Sequence, residues 1–341
     1  MPTGLVMERR DEAMNILVMG AGAVGSAVGG FLGKGGHRVS LVGRDPHMTA
    51  IRERGLRIEG IWGEHLIRGL RPFISVNQVP GENFDLVLIT TKSYDTGDAA
   101  KQVLPLLSED SLVISLQNGL GNVETISQIV GDHRAVGGRL IFGIKIPEAG
   151  RAEITVYADK VMLGSPSHKV DLTRLEGVAT AFTKAGIPTE ATLEIGQFIW
   201  GKVFYNCCLN PLSALLGVTY GELSEHPETR QIMTSVIEEI FAVAAAKGVT
   251  LAWRSPLEYR EVLFGRLVPD TYAHHASMLQ DVMRGNRTEI DALNGAIARL
   301  GEETGIPTPV NLMLTQLIKV KERIGKRQVL PESGRCADGT V

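Results

Sequence analysis

The stretch Asn15–Gly25, NILVMGAGAVG, constrains this chain more than any other. NILVMG reads as a short buried strand, and the GxGxxG pattern that begins at its last residue opens the helical run AVGSAVGGFLGKGG. At a strand–helix junction the three glycines have separate uses. Gly20 permits the tight turn, Gly22 lets the backbone approach a pyrophosphate, and Gly25 allows close packing of helix on strand. The helix N-terminus adds unpaired N–H groups and a positive dipole end, so Gly20, Ala21, Gly22, Ala23, Val24 and Gly25 are candidate dinucleotide ligands. Glycines serving only a tight turn are the competing reading.

The pattern continues as alternating strands and helices. HRVSLVGR predicts a second strand, LRIEG and EHLIRG a local hairpin, DLVLITTK a third buried strand, AAKQVLPLL a helix and SLVISLQNG another strand. Continuous apolar strands alternating with helices mean a parallel sheet covered on both faces. RAVGGRLIFG, AEITVYAD and KVMLGS predict three further strands closing that sheet, with antiparallel pairing left open. LTRLEGVATAFTKAG predicts a helix ending at Gly186, followed by the strand-like IPTEAT.

From about Glu194 the periodicity is helical throughout, in EIGQFIWGKVFYN, PETRQIMTSVIEEIFAVAAAKG, HASMLQDVMRG, TEIDALNGAIARLGEETG and VNLMLTQLIKVKERIG. A chain of 341 residues exceeds one typical core. The expected organisation is an α/β Rossmann domain over 14–193 and an all-α domain over 194–326, with flexible tails at 1–13 and 327–341.

Composition excludes more than it selects. With 44% hydrophobic residues and a net charge of −3, nothing electrostatic calls for nucleic acid or an anionic membrane. Apolar runs such as FDLVLIT are too short to span a bilayer, and the polar MPTGLVMERRDEAMN lacks the apolar region of a secretory signal. Three cysteines, Cys207, Cys208 and Cys336, make neither a disulfide framework nor a zinc pattern. A cytoplasmic protein without a bound metal is the expectation. Apolar helices such as IMTSVIEEIFAVAAA are compatible with packing inside one subunit or in a homodimer.

The second strand ends VGRD, with Arg44 where an NAD site usually presents an acid to the ribose. A guanidinium suits a 2′-phosphate instead, which favours NADP(H), and Asp45 is then expected to cap the helix beginning at Pro46. Open parallel sheets bind ligands at the carboxyl ends of their strands, where Lys92 and Asn118 fall; Asn118 before a glycine is equally a turn residue.

The helical half carries polar residues that an apolar helix does not explain. Lys202, Asn206 and Asn210 in GKVFYNCCLNPLSALLG are spaced by four and share one stripe of a helix. Lys202 can snorkel, and Asn210 before Pro211 can N-cap a new helix starting there. Asn206 has the weakest such excuse, because an unpaired buried amide costs about 1–3 kcal/mol. In NRTEIDALNG, Asn286 and Glu289 also fit a capping box. Ser277 in HHASMLQD also fits a helix-start hydroxyl.

Taken together, GAGAVG, the Lys92 strand end, SLQNGLGN, WGKVFYNCCLNPLSAL and SMLQDVMRGNRTEIDALNG resemble the ketopantoate reductase (2-dehydropantoate 2-reductase) family, from about Met14 to Lys326. The resemblance implies an N-terminal Rossmann domain, a helical domain like the C-terminal one of 6-phosphogluconate dehydrogenase, and NADPH-dependent reduction of a 2-keto acid. It implies Lys202 as proton donor, and Asn118, Asn206, Asn210 and Ser277 as substrate ligands. Arg44, Lys92, Asn118 and Glu289, with the glycine loop, would hold NADP(H). One departure stands out: ketopantoate-specific members usually have Asn before GEL, contacting the substrate's hydroxyl end, whereas GVTYGEL puts Tyr220 there, with a hydroxyl able to donate. Reduction of ketopantoate to pantoate is the leading expectation. The alternatives are reduction of another 2-keto acid and a non-catalytic NADP(H) sensor.

Overall fold

The structure, a computed structural model, describes residues 13–329; the predicted tails lie outside it except for Ala13 and 327–329. The described chain forms two compact units. One runs up to Gln117 and resumes over Asn122–Ile195; the other combines Asn118–Gly121 with the chain from Gly196 onward.

The first unit is built on one ten-stranded sheet. Its strands are β1 (Asn15–Met19), β2 (Arg38–Val42), β3 (Leu56–Gly60), β4 (His65–Ile67), β5 (Arg71–Phe73), β6 (Phe84–Ile89), β7 (Leu107–Ser115), β8 (Ala135–Glu148), β9 (Arg151–Gly164) and β10 (Thr189–Ala191). The order is β4-β3-β9-β8-β7-β6-β1-β2-β5, with β10 added on β9. From β5 to β8 every pairing is parallel. β8 and β9 form a long antiparallel hairpin, and β3 pairs with β4 antiparallel, as the LRIEG and EHLIRG runs predict. The predicted strands AEITVYAD and KVMLGS are one element, β9, because its central polar residues are paired in place: Asp159 with Arg139 at 2.9 Å, and Lys160 with Glu190.

The unit's helices are α1 (Ala23–Lys34), α2 (His47–Arg54), α3 (Thr96–Val103), α4 (Asn122–Val130) and α5 (Leu172–Lys184). Their apolar faces and the strands share one core, including Val18, Val28, Phe31, Leu41, Leu88, Ile114, Leu163 and Phe182. Within it, His47 ties the tip of the β8–β9 hairpin to the start of α1. Gly150 N–H donates to Nδ1 at 2.9 Å, so Nε2 carries the proton and donates to Ser26 Oγ at 2.9 Å. Burial lowers the His47 pKa from its ordinary 6.5.

A depressed histidine stabilises the fold when neutral. Its contribution is complete above about pH 6.5 and is lost as pH falls through the lower folded value. The expected result is a melting temperature that drops between pH 7 and pH 5. His47→Asn keeps an acceptor for Gly150 N–H without titrating, so it should flatten that slope; an unchanged slope would remove His47 from the account.

The second unit is helical: α6 (Ile195–Leu216), α7 (Tyr220–Glu225), α8 (Pro227–Ala246), α9 (Pro256–Val262), α10 (Val268–Asp270), α11 (Ser277–Met283), α12 (Asn294–Thr304) and α13 (Pro309–Val329). Among the described residues no helix is long and apolar enough to cross a membrane. α13 continues past Lys326, where the sequence reading ends the helical domain. Val203, Phe204, Cys207, Cys208, Leu209 and Leu212 of α6 are buried in this unit's core. Phe204 packs against Phe241, Trp253 and Tyr259 at ring separations of 4.7–6.0 Å.

Pro211 does not start a new helix: α6 runs through it to Leu216. A proline here has no N–H for the carbonyl four residues back, that of Cys207. Asn294 Nδ2 takes that carbonyl at 3.1 Å instead and also bonds Asn311 Oδ1 at 3.0 Å. Asn311 Nδ2 in turn donates to Glu239 at 2.7 Å. Two buried amides, Asn294 on α12 and Asn311 on α13, backed by the half-buried Glu239 carboxylate of α8, thus substitute for the missing backbone bond on α6.

Candidate active site

In the α/β unit, the glycine loop is clamped at the carboxyl ends of β2 and β6, on either side of β1. Gly20 and Ala21 N–H groups donate to Val42 O at 3.0 and 2.7 Å, and Thr90 Oγ1 donates to Gly20 O at 2.8 Å. Gly20 adopts φ +106°, and a Cβ there would lie 2.5 Å from Thr91 N. At Gly25 a Cβ would lie 2.6 Å from both Gly20 O and Thr90 Oγ1. Gly22 differs: its Cβ would meet nothing closer than 4.0 Å. The fold itself therefore demands Gly20 and Gly25, while the space before Gly22 is not filled by any of the described residues.

Among the described residues no side chain caps α1, and its first turn has no acid. An uncapped helix N-terminus beside open space fits a pyrophosphate. Arg44 is exposed just beyond β2. Asp45 turns to α2, accepting from Thr49 N at 3.2 Å and from Thr49 Oγ1 at 2.7 Å. Its carboxylate thus holds the first turn of α2, the capping role expected of it, although the helix starts at His47 with Pro46 before it. Lys92 is half-buried after β6, at the start of a single 3-10 turn. Gln117, to which the sequence reading gave no role, braces this loop: its Nε2 donates to Thr91 O at 3.0 Å and to Thr96 Oγ1 at 2.8 Å.

In the helical unit, a small open concavity is lined by Asn118, Asn210, Ser277, Met278, Asp281, Glu289 and Leu293. Four of the seven are residues singled out from sequence. Asn118 Nδ2 donates to Glu289 Oε2 at 3.3 Å, joining residues far apart in the chain. Leu120 N–H donates to Ala292 O at 2.8 Å, and Gly119, at φ +90°, packs so closely on Ala292 that no side chain fits there. The predicted capping box is not formed. Asn286 N–H bonds Asp281 O, a 3-10 turn begins only at Ile290, and α12 begins at Asn294. Glu289, 8% exposed, faces the pocket instead.

Lys202 and Asn206 lie outside this lining, two turns and one turn before Asn210 on α6, steps of about 6 Å each. Lys202 is half-buried. Asn206 is 8% exposed, and its side chain makes no hydrogen bond among the described residues. Ser277 is exposed at the first position of α11, where it caps nothing. Asp281, four residues on and 8% exposed, is a pocket acid to which the sequence reading gave no role. The signal was available: a spacing of four puts both on one helix face.

Tyr220 does not line the pocket. It is 3% exposed, and its hydroxyl donates to Asn210 Oδ1 at 2.6 Å. The donation expected of it is thus made to a pocket residue from behind.

Comparison with known proteins gives a consistent picture. The family described as "Ketopantoate reductase PanE/ApbA" matches residues 16–167, and "Ketopantoate reductase PanE/ApbA C terminal" matches residues 194–322. A 2-dehydropantoate 2-reductase of Aquifex aeolicus (strain VF5) is 42% identical over 91% of this chain and 97% of its own length. The crystal structure of a PanE/ApbA family ketopantoate reductase from Ralstonia eutropha JMP134 superposes with a TM-score of 0.82 at 32% identity, covering 92% of this chain and all of that one (100%). D-mandelate dehydrogenase in a ternary structure with NADH and anilino(oxo)acetate superposes with a TM-score of 0.83 at 25% identity, covering 92% and 99% of the two chains.

Proposed function

The chain belongs to the ketopantoate reductase family, and we propose that it reduces 2-dehydropantoate to pantoate with NADPH. The observation that carries this reading is the polar stripe of α6. A half-buried ammonium is followed by two buried amides, one without a hydrogen-bond partner among the described residues and one lining a pocket that also holds Ser277, Asn118 and Glu289.

Bound NADPH supplies hydride to the keto carbon. Charge then develops on the keto oxygen, which needs a positioned cation able to release a proton. Lys202 Nζ meets both needs: it donates its proton to that oxygen and regains one from solvent. Asn206 and Asn210 fix the keto acid relative to Lys202, and Ser277 Oγ donates to its carboxylate. Asn118 and Glu289, bonded to one another, border the same pocket and hold the nicotinamide end. The glycine loop with the start of α1 takes the pyrophosphate, Lys92 a phosphate, and Arg44 the 2′-phosphate. Support for the last comes from the exposed Arg44 guanidinium just beyond β2, beside an Asp45 whose Oδ1 accepts from Thr49 of α2.

A panel of 2-keto acids assayed for NADPH oxidation tests the reaction. 2-Dehydropantoate should give the highest kcat/KM; better turnover of an aromatic keto acid would move the chain toward a mandelate-type substrate, and none at all would favour a nucleotide sensor. Arg44→Ala tests the cofactor. NADPH affinity should fall by about ten- to a hundredfold with little change for NADH, and equal losses for both would remove the 2′-phosphate role.

A further inference from the structure

Tyr220 is held more firmly than a residue filling space needs to be. Thr219 and Glu222 form a complete capping box at the start of α7, which fixes the backbone at Tyr220. Its own N–H donates to His274 O at 3.0 Å. Its ring meets Tyr205 edge-on at 5.6 Å and lies 5.1 Å from the His274 ring. The hydroxyl emerges from this packing at one place, Asn210 Oδ1.

We propose that Tyr220 is a positioning residue that sets the orientation of the Asn210 amide, so that Asn210 offers N–H donors to an acceptor oxygen of the substrate. Two observations fix the direction. The separation of 2.6 Å is that of an O–H···O bond and is short for an N–H···O bond. The pocket already holds two acids, Asp281 and Glu289. Were the amide reversed, Asn210 Oδ1 would add a third acceptor there, and an anionic keto acid would face oxygen lone pairs on several sides. With the phenol donating from behind, the same residue contributes Nδ2 to the pocket. Burial keeps the phenol protonated, its pKa well above the ordinary 10.0, so the donor persists across the working pH range. Tyr220 thus governs substrate affinity without touching the substrate. The assignment rests on the reductase reading for the nature of the ligand, though not for the orientation of the amide.

The test is Tyr220→Phe in the full chain, which keeps the ring and removes the hydroxyl. KM for 2-dehydropantoate should rise about tenfold with kcat within about twofold, and KM for NADPH should be unchanged. Added to Asn210→Ala, Tyr220→Phe should have no further effect, since its action runs through that amide. Tyr205→Phe removes a neighbouring hydroxyl bonded to Thr271 and should leave KM alone, which separates positioning from loosened packing. An unchanged KM in Tyr220→Phe, or effects additive with Asn210→Ala, overturns the role while wild-type turnover leaves the reductase reading intact. If the wild type reduces no keto acid, that reading fails. The Asn210 side-chain resonances in a 15N-asparagine spectrum then decide: a shift and faster amide exchange in Tyr220→Phe uphold the orientation, and an unchanged signal overturns it.

Discussion

Replacing Lys202 with alanine is expected to lower kcat on 2-dehydropantoate by on the order of 10³-fold while leaving the NADPH dissociation constant within about twofold. The size follows from removing two effects at once. General acid catalysis contributes roughly 10²–10⁴-fold, and one lost donor to a developing oxyanion costs about 10²–10³. The two overlap in a single ammonium, so they do not multiply. Stability should change little, because α6 is anchored by Val203, Phe204, Cys207 and Leu209, which are buried, whereas Lys202 is only half so. Nucleotide affinity should persist because the glycine loop, Arg44 and Lys92 come from other elements. Lys202→Arg keeps the charge and gives a sharper version of the test. A guanidinium does not release its proton in the working range, so it should recover little of the rate. Stopped-flow measurement of a single NADPH oxidation turnover separates chemistry from product release. A rate within tenfold of wild type in Lys202→Ala would end the role proposed for this residue.

What could be read in advance depended on how local the determining physics is. The parallel sheet was legible because β1, most of β6 and the C-terminal half of β7 are apolar runs, and the glycine loop because its spacing has a backbone cause. The stripe on α6 was legible for the same reason, as a period of four. Its continuation through Pro211 was not. A proline predicts a break from its own missing donor, and the compensating amide is Asn294, 87 residues from the Cys207 carbonyl it takes. Glu289 shows the converse. Asn286 and Glu289 have capping-box spacing, but the chain turns back through the Asn286 N–H to Asp281 O bond, and the carboxylate meets Asn118, 171 residues distant. Tyr220 was recognised as a departure, yet its partner depends on how α7 seats against α6, which no local pattern encodes. Core geometry was therefore inferred well where periodicity governs, and polar partners poorly where tertiary packing chooses them.

The second large effect concerns the three glycines, and it separates folding from function within six residues. Gly20→Ala should destabilise the α/β unit strongly. It forces a side chain into the left-handed region and sets a Cβ 2.5 Å from Thr91 N, where backbone rather than a flexible side chain must move. Gly25→Ala should behave similarly, against Gly20 O and Thr90 Oγ1. Each should cost about 2–4 kcal/mol, read as a shift in denaturant midpoint. Gly22→Ala should do the opposite. Its φ of −83° suits any residue, and the nearest atom to the added Cβ is 4.0 Å away, so the melting temperature should hold or rise slightly. Its penalty should appear only with nucleotide: the methyl group occupies the approach to the uncapped end of α1, and NADPH affinity should fall by on the order of 10²-fold. Titration calorimetry alongside thermal unfolding reads both quantities on the same samples. If Gly22→Ala binds NADPH as the wild type does, the open space before Gly22 is not where the pyrophosphate lies. If it unfolds like Gly20→Ala, the glycine is there for the turn alone, and the loop loses its clearest mark of a dinucleotide site.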